Sequence, residues 1–270
     1  MKIGIFYIAT SVYKEYFKQY FLPSINNLFP GEDKELILIS DGLEQYNDIR
    51  YHKVHITVED IIDFPYPIIN LCKFQIIEKY ANKHNIDIIL YFDADTLIYT
   101  KELEFWEKLL NKIETEDDKM HMSYHPHYLY KSGDFFTSNL FFPYKEGSIC
   151  NISEEEKQYL NEHKCYIMTS FFMCHIKALH YFTENIYEYA KFNLRELRWI
   201  PFYSDETYLN IINLRNPGHI ILDRYVNINP YIYWGGSDKS TDNPYINNLP
   251  EHNALFVNQK FDIELKDQKR

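Results

Sequence analysis

The chain has 270 residues, 46% of them hydrophobic and 25% charged, which is the balance of a globular protein able to bury a sizeable core in one large domain or two small ones. Its formal net charge of −11 disfavours nucleic acid or an anionic membrane surface as the main partner. The four cysteines, Cys72, Cys150, Cys165 and Cys174, lack C-x-x-C spacing, which argues against a zinc site and for buried or free thiols in a reducing cytoplasm.

Taken in chain order, residues 3–8 are apolar and β-rich and read as a first strand; the run is too short for a signal peptide. Apolar residues at close to helical spacing follow over 12–28, with Pro23 as a kink or break. ELILISD (35–41) reads as a second strand ending in an Asp41-Gly42 turn, and the alternating YHKVHIT (51–57) as a third. Residues 70–81 place Leu71, Phe74, Ile77 and Ala81 on one helical face, and 86–92 form a nearly continuous apolar strand of the kind buried on both sheet faces. Strand and helix alternate through this first hundred residues, which predicts an α/β protein with a mostly parallel, Rossmann-like sheet flanked by helices.

The later half is less regular. Ser153 to Glu156 has capping-box spacing ahead of a short helix, 166–176 reads as a buried strand or strand-turn, 176–194 and 205–214 as helices, and HIILD (219–223) as a late strand. There is no internal repeat and no Gly/Ser linker, so one compact unit is expected over 1–270. No run is long enough to cross a membrane, which leaves a soluble, cytoplasmic protein as the expectation. Neither G-x-G-x-x-G nor G-x-x-x-x-G-K-[ST] occurs, so the usual glycine-rich nucleotide sites are disfavoured.

The strand at 86–92 ends in Asp93-Ala94-Asp95, two carboxylates with one residue between them. In open α/β sheets ligands bind beyond the carboxyl ends of the strands. Neighbouring carboxylates repel unless a proton or cation intervenes, and a hard cation such as Mn²⁺ or Mg²⁺ is held by one or two carboxylates plus substrate phosphates. The pattern points to a metal-bound nucleotide diphosphate; a solvated acidic loop is the plain alternative.

Six segments in register give this reading a family. The opening strand with Phe6 and Ile8, the helix with Lys73, Asp93-Ala94-Asp95, Tyr124-His125-Pro126-His127-Tyr128, YIMTSFFMC (166–174) and Tyr203-Ser204-Asp205-Glu206-Thr207-Tyr208-Leu209-Asn210 together resemble the retaining α-1,3-galactosyl/N-acetylgalactosaminyltransferases, the family of the ABO blood-group transferases. The last three segments correspond to that family's H-P-G-F-Y, Y-Y-L-G-G-F-F-G-G and W-H-D-E-S-H-L-N. His127 stands where glycine is usual, Thr169 and Ser170 replace two glycines, Tyr203 replaces a Trp and Ser204 a His.

The resemblance implies a glycosyltransferase-A fold, with a nucleotide-binding half over 1–100, an acceptor-binding half over 101–258 and a basic segment over 259–270 that closes over the diphosphate, for which a frayed, solvated tail is the plain alternative. It implies a UDP-galactose or UDP-N-acetylgalactosamine donor and a galactoside glycan acceptor. Asp93 and Asp95 would hold the Mn²⁺ or Mg²⁺; Phe6 and Ile8 would pack on uracil, though they serve equally well as strand core. Lys73, Asp205 and Lys260 would contact the donor, and Met168 and Ser170 would face its C2 substituent. His125, Tyr203 and Glu206 would receive the acceptor. Glu206 would sit beneath the anomeric carbon as nucleophile or as stabiliser of oxocarbenium character. For Asp205 and Glu206 the competing role is a favourable charge in the first turn of a helix. Two rivals remain: a retaining hexosyltransferase of the glycogenin or lipopolysaccharide galactosyltransferase type, whose H-x-x-G-x-x-K-P-W motif is missing here, and a sugar-binding module without turnover.

Overall fold

The computed structural model of the chain describes residues 1–8, 17, 34–40, 51–55, 69–93, 96–98, 103–125, 142–163, 165–201, 203–223, 226–228 and 256–258. Strands β1 (Ile3–Ile8), β2 (Lys34–Ser40) and β3 (Tyr51–His55) precede helix α1 (Ile69–His84) and strand β4 (Ile88–Phe92). Then come β5 (Thr96–Ile98), α2 (Leu103–Thr115), β6 (Met120–Tyr124), α3 (Glu154–His163), β7 (Ile167–His175), α4 (Ile176–Leu197), α5 (Ser204–Arg215), β8 (Ile220–Asp223), β9 (Val226–Ile228) and β10 (Phe256–Asn258). The expected helix over 12–28 lies outside the described residues apart from Phe17.

Seven strands form one sheet in the order β3-β2-β1-β4-β7-β6-β8. β1 pairs in parallel with β2 and β4, β2 with β3, and β6 with β8, while β7 runs antiparallel to both β4 and β6. The protein is therefore α/β with a mixed sheet in which one strand is reversed, a layout compatible with a Rossmann-like fold. A second, three-stranded sheet joins β5, β10 and β9. The sequence patterns did not anticipate α2, β6 or the small sheet. β6, MHMSY, interrupts its apolar positions with His121 and Ser123, and both prove buried.

Every residue of β1 and β4 is buried, so alternate side chains feed two covered faces. On one face Phe74 of α1 stacks on Phe172 of β7 at 5.2 Å, and Tyr91 of β4 stacks on the same ring at 4.9 Å. On the other, Tyr7 meets Phe17 at 5.0 Å and Phe92 meets Phe171 at 5.2 Å. Gly4 is required by this packing: a Cβ there would come within 2.6 Å of the Ile86 side chain.

The fourth strand starts two residues later than its apolar pattern suggests. Asn85, in the left-handed region at φ 53°, ends α1, and the Ile86 N–H closes back on the Ala81 carbonyl at 2.9 Å. Ahead of α3 the expected capping box forms, with Ser153 N–H donating to Glu156 Oε2 at 2.7 Å and Glu156 N–H to Ser153 Oγ at 3.1 Å. None of the four cysteines forms a disulfide, and no helix among the described residues is long and apolar enough to cross a membrane.

Candidate functional site

The reversed strand explains how distant segments meet. β4 delivers Asp93 at its carboxyl end, at the edge of the sheet. Because β7 runs the other way, its beginning lies beside the end of β4: Phe92 pairs with Phe171, and the Asp93 N–H donates to the Ser170 carbonyl at 2.8 Å. The same edge receives the end of β1, where Tyr7 pairs with Phe92 and Ile8 is the next residue. It also receives the end of β6, where the His125 N–H donates to the Tyr166 carbonyl at 2.8 Å.

At this edge the pairing of β6 with β7 slips. Met122 pairs with Phe172, but Ser123 pairs with Met168, so three residues of β7 stand opposite one step of β6. Such bulges re-aim backbone and side chains beside sites. Here the bulge presents Thr169 toward α1 and α5.

Lys73 is the hub. Its side chain, 3% exposed, donates from Nζ to Asp205 Oδ2 at 2.7 Å and to the Thr169 carbonyl at 3.3 Å, and lies 4.0 Å from Asp93 Oδ1. The ammonium also sits 4.7 Å above the Tyr91 ring, whose hydroxyl donates to Asp93 Oδ1. Burial works against the charged lysine, but Asp205 and Asp93 outweigh it and hold its pKa above the ordinary value.

Asp205 and Glu206 occupy the first turn of α5, where the helix dipole favours negative charge, yet the two behave differently. Asp205 is buried against Lys73. Glu206 is partly buried, and its carboxyl is pushed up to about 8, first by burial and then by the charge of Asp205. Tyr166, the Thr169 backbone and Lys73 pull the other way. Burial thus favours the protonated form of Glu206 near neutral pH, beside an Asp205 that accepts a hydrogen bond from Lys73. A cation or a developing positive charge placed nearby would favour ionisation of Glu206.

The structure therefore brings Lys73, Asp93, Ser170, Asp205 and Glu206 to one place. His125 is buried, with its ring edge-on to Tyr166 at 6.0 Å, and so approaches Glu206 through Tyr166. Met168 and Ser170 are buried on β7. Ser170 Oγ has no hydrogen-bond partner among the described residues, an open demand that a ligand hydroxyl can meet. Tyr203 is the partly buried residue just before α5 and makes no side-chain cap. Phe6 is fully buried and Ile8 is 9% exposed, both within the hydrophobic core. Asp95, His127 and Lys260 lie outside the described residues.

Of the two implied cation ligands only Asp93 lies among the described residues, and its chemistry suits such an ion. The Asp93 side chain is 39% exposed at a strand end and supplies the hard oxygen that Mn²⁺ and Mg²⁺ take. Among the described residues no group of three or more His, Cys, Asp or Glu could hold a metal, and these cations are characteristically completed by substrate phosphates.

Four partners in this cluster, Tyr91, Tyr166, Thr169 and Asn210, had no assigned role in the sequence reading. Tyr91 could have been found by strand alternation, since it shares a face with Asp93 two residues on. Thr169 acts through its backbone, which side-chain chemistry does not advertise. Asn210 is taken up below. Scans against models of known protein families return no match, and neither does a search of characterised proteins.

Proposed function

We propose that the protein is a retaining glycosyltransferase of the glycosyltransferase-A fold. It would move galactose or N-acetylgalactosamine from a UDP-sugar to the 3-hydroxyl of a galactoside in α linkage. The observation that carries this reading is the charge arrangement at the sheet edge: a buried Lys73 tied to Asp205 and close to Asp93, beside a Glu206 whose carboxyl is pushed up to about 8. Carboxylates with such divergent environments at the carboxyl edge of an α/β sheet suit chemistry better than surface solvation.

In this reading Asp93 and Asp95 hold Mn²⁺ or Mg²⁺, which when bound supplies Lewis-acid stabilisation of the departing UDP. Lys73 fixes the rotamer of Asp205, leaving its second oxygen for hydroxyls of the donor sugar. Ser170 Oγ gives the sugar a further polar contact. Glu206, in its charged form, faces the anomeric carbon, where positive charge grows as the glycosidic bond breaks; an interaction that strengthens in the transition state raises turnover. His125 and Tyr203 are the acceptor-side residues. The fully buried Phe6 reads as core, and Ile8, at the strand exit, remains the candidate to touch uracil.

The test is incubation with UDP-galactose or UDP-N-acetylgalactosamine, a β-galactoside and Mn²⁺, with and without EDTA, following UDP release and product linkage. Acceptor-dependent release that EDTA abolishes is the expected result. Tight UDP-sugar binding with no release over any acceptor would make the protein a binding module.

A further inference from the structure

Asn210, one turn beyond Glu206 on α5, is 1% exposed and spends its whole side-chain amide on two backbone segments. Its Oδ1 accepts the Ile167 N–H at 2.8 Å, and its Nδ2 donates to the Ile167 carbonyl at 3.2 Å and to the Glu206 carbonyl at 2.8 Å. The amide thus pairs with Ile167 as a neighbouring strand would and, through the same nitrogen, holds the residue that carries the raised carboxyl. Ile167 opens β7 two residues before Thr169, which faces Glu206 and accepts Lys73. Asn210 therefore joins the two elements whose relative placement decides where the Glu206 carboxyl lies. A helix–strand contact made only of apolar side chains can slide by fractions of an ångström. A bidentate amide on a peptide cannot slide without breaking two buried hydrogen bonds.

We propose that Asn210 is a positioning residue for Glu206: it clamps the first turn of α5 to the bulged start of β7 and so sets the carboxyl against the Thr169 backbone and Lys73. This inference rests on the proposed transferase reading for its catalytic consequence, but not for its structural content. The clamp is distinct from the other bonds that join α5 to the rest of the protein. Asn193 of α4 donates to the buried Tyr208 hydroxyl at 3.1 Å, and the exposed Arg215 donates to the Ile149 and Asn151 carbonyls at 2.7 and 2.9 Å.

The experiment compares wild type, Asn210→Ala, the milder Asn210→Ser, and Glu35→Ala. Glu35 pairs with His84 at 2.6 Å at the opposite end of the sheet, so its loss lowers stability without touching the site. Thermal unfolding matches the variants for fraction folded. Carbon-13 NMR of glutamate-labelled protein, with Glu206 assigned by Glu206→Gln, follows the Glu206 carboxyl through pH in each folded variant. The same proteins are assayed for kcat and donor KM.

We expect the Glu206 titration midpoint to move by at least about half a pH unit in the Asn210 variants and to stay put in Glu35→Ala. We also expect kcat to fall about tenfold or more with donor KM within about twofold. Asn210 variants whose Glu206 titration and kcat match those of Glu35→Ala at equal fraction folded would overturn the proposal. A wild type that transfers no sugar would refute the functional reading alone, because the titration still decides whether Asn210 positions Glu206.

Discussion

Replacing Glu206 by Gln should make the protein more stable and less active at once. The carboxyl is pushed up to about 8 from its ordinary 4.5, so between those values the native state holds a proton that the unfolded chain has released. Stability therefore falls as pH rises from about 4.5 toward 8, and the loss is absent below the lower value. Each pH unit in that window removes at most about 1.4 kcal/mol, giving a ceiling of about 3 kcal/mol by pH 7. Glu206 keeps some contact with solvent, which trims the figure to about 2 kcal/mol. Glutamine has the shape of the protonated acid and does not titrate, so Glu206→Gln should match wild type near pH 4 and exceed it by about 2 kcal/mol at pH 7. Urea unfolding of both proteins at a series of pH values measures this. If Glu206 served only as a favourable charge at the start of α5, the variant would instead lose roughly 0.3–1 kcal/mol at neutral pH. That outcome would refute the argument. Turnover should drop on the order of a hundredfold in the same variant while UDP-sugar affinity changes little, the pattern of an interaction made in the transition state.

Lys73→Met keeps the bulk of the side chain but leaves Asp205 buried without its partner; we expect a loss of about 3–5 kcal/mol in urea unfolding, and a loss under 1 kcal/mol would show that Asp205 finds water or another donor. Asp95→Asn should cut turnover at least about a hundredfold, and Mn²⁺ should restore activity to EDTA-treated wild type; full activity in EDTA would remove the cation from the account. Burial pushes the Cys72 thiol up to about 12 and the Cys150 thiol up to about 11, so both should resist iodoacetamide at pH 8 in the native protein and react after unfolding; rapid native alkylation of either would contradict their placement.

Much of this architecture is legible in local pattern. The runs IGIFYI and IILYF are apolar throughout because both faces of their strands are covered, and no solvated alternative fits them. Ser153 and Glu156 announce a helix start through a purely local exchange of hydrogen bonds. The carboxylates legible in sequence, Asp93, Asp205 and Glu206, do converge, but the order of convergence is a tertiary fact. Nothing in YIMTSFFMC states that β7 runs against β4, and that reversal is what sets Ser170 beside Asp93. Lys73 looks like an ordinary helix lysine; its burial arises from two elements that lie far along the chain. Asn210 reads as a polar residue on a helix, and its role appears only when the Ile167 peptide stands opposite it. The Thr169 bulge follows from a register slip between β6 and β7, which pairing in three dimensions decides.

The most direct test of the central claim, that Glu206 works from the face opposite the departing UDP in a retaining transfer, is the anomeric configuration of the first-formed product. Proton NMR of the reaction of an α-linked UDP-sugar with a β-galactoside and Mn²⁺ reads it from the anomeric coupling. The account predicts an α-linked product in wild type, lost in Glu206→Gln. A β-linked product, or α-linked product formed at the wild-type rate by Glu206→Gln, would contradict it.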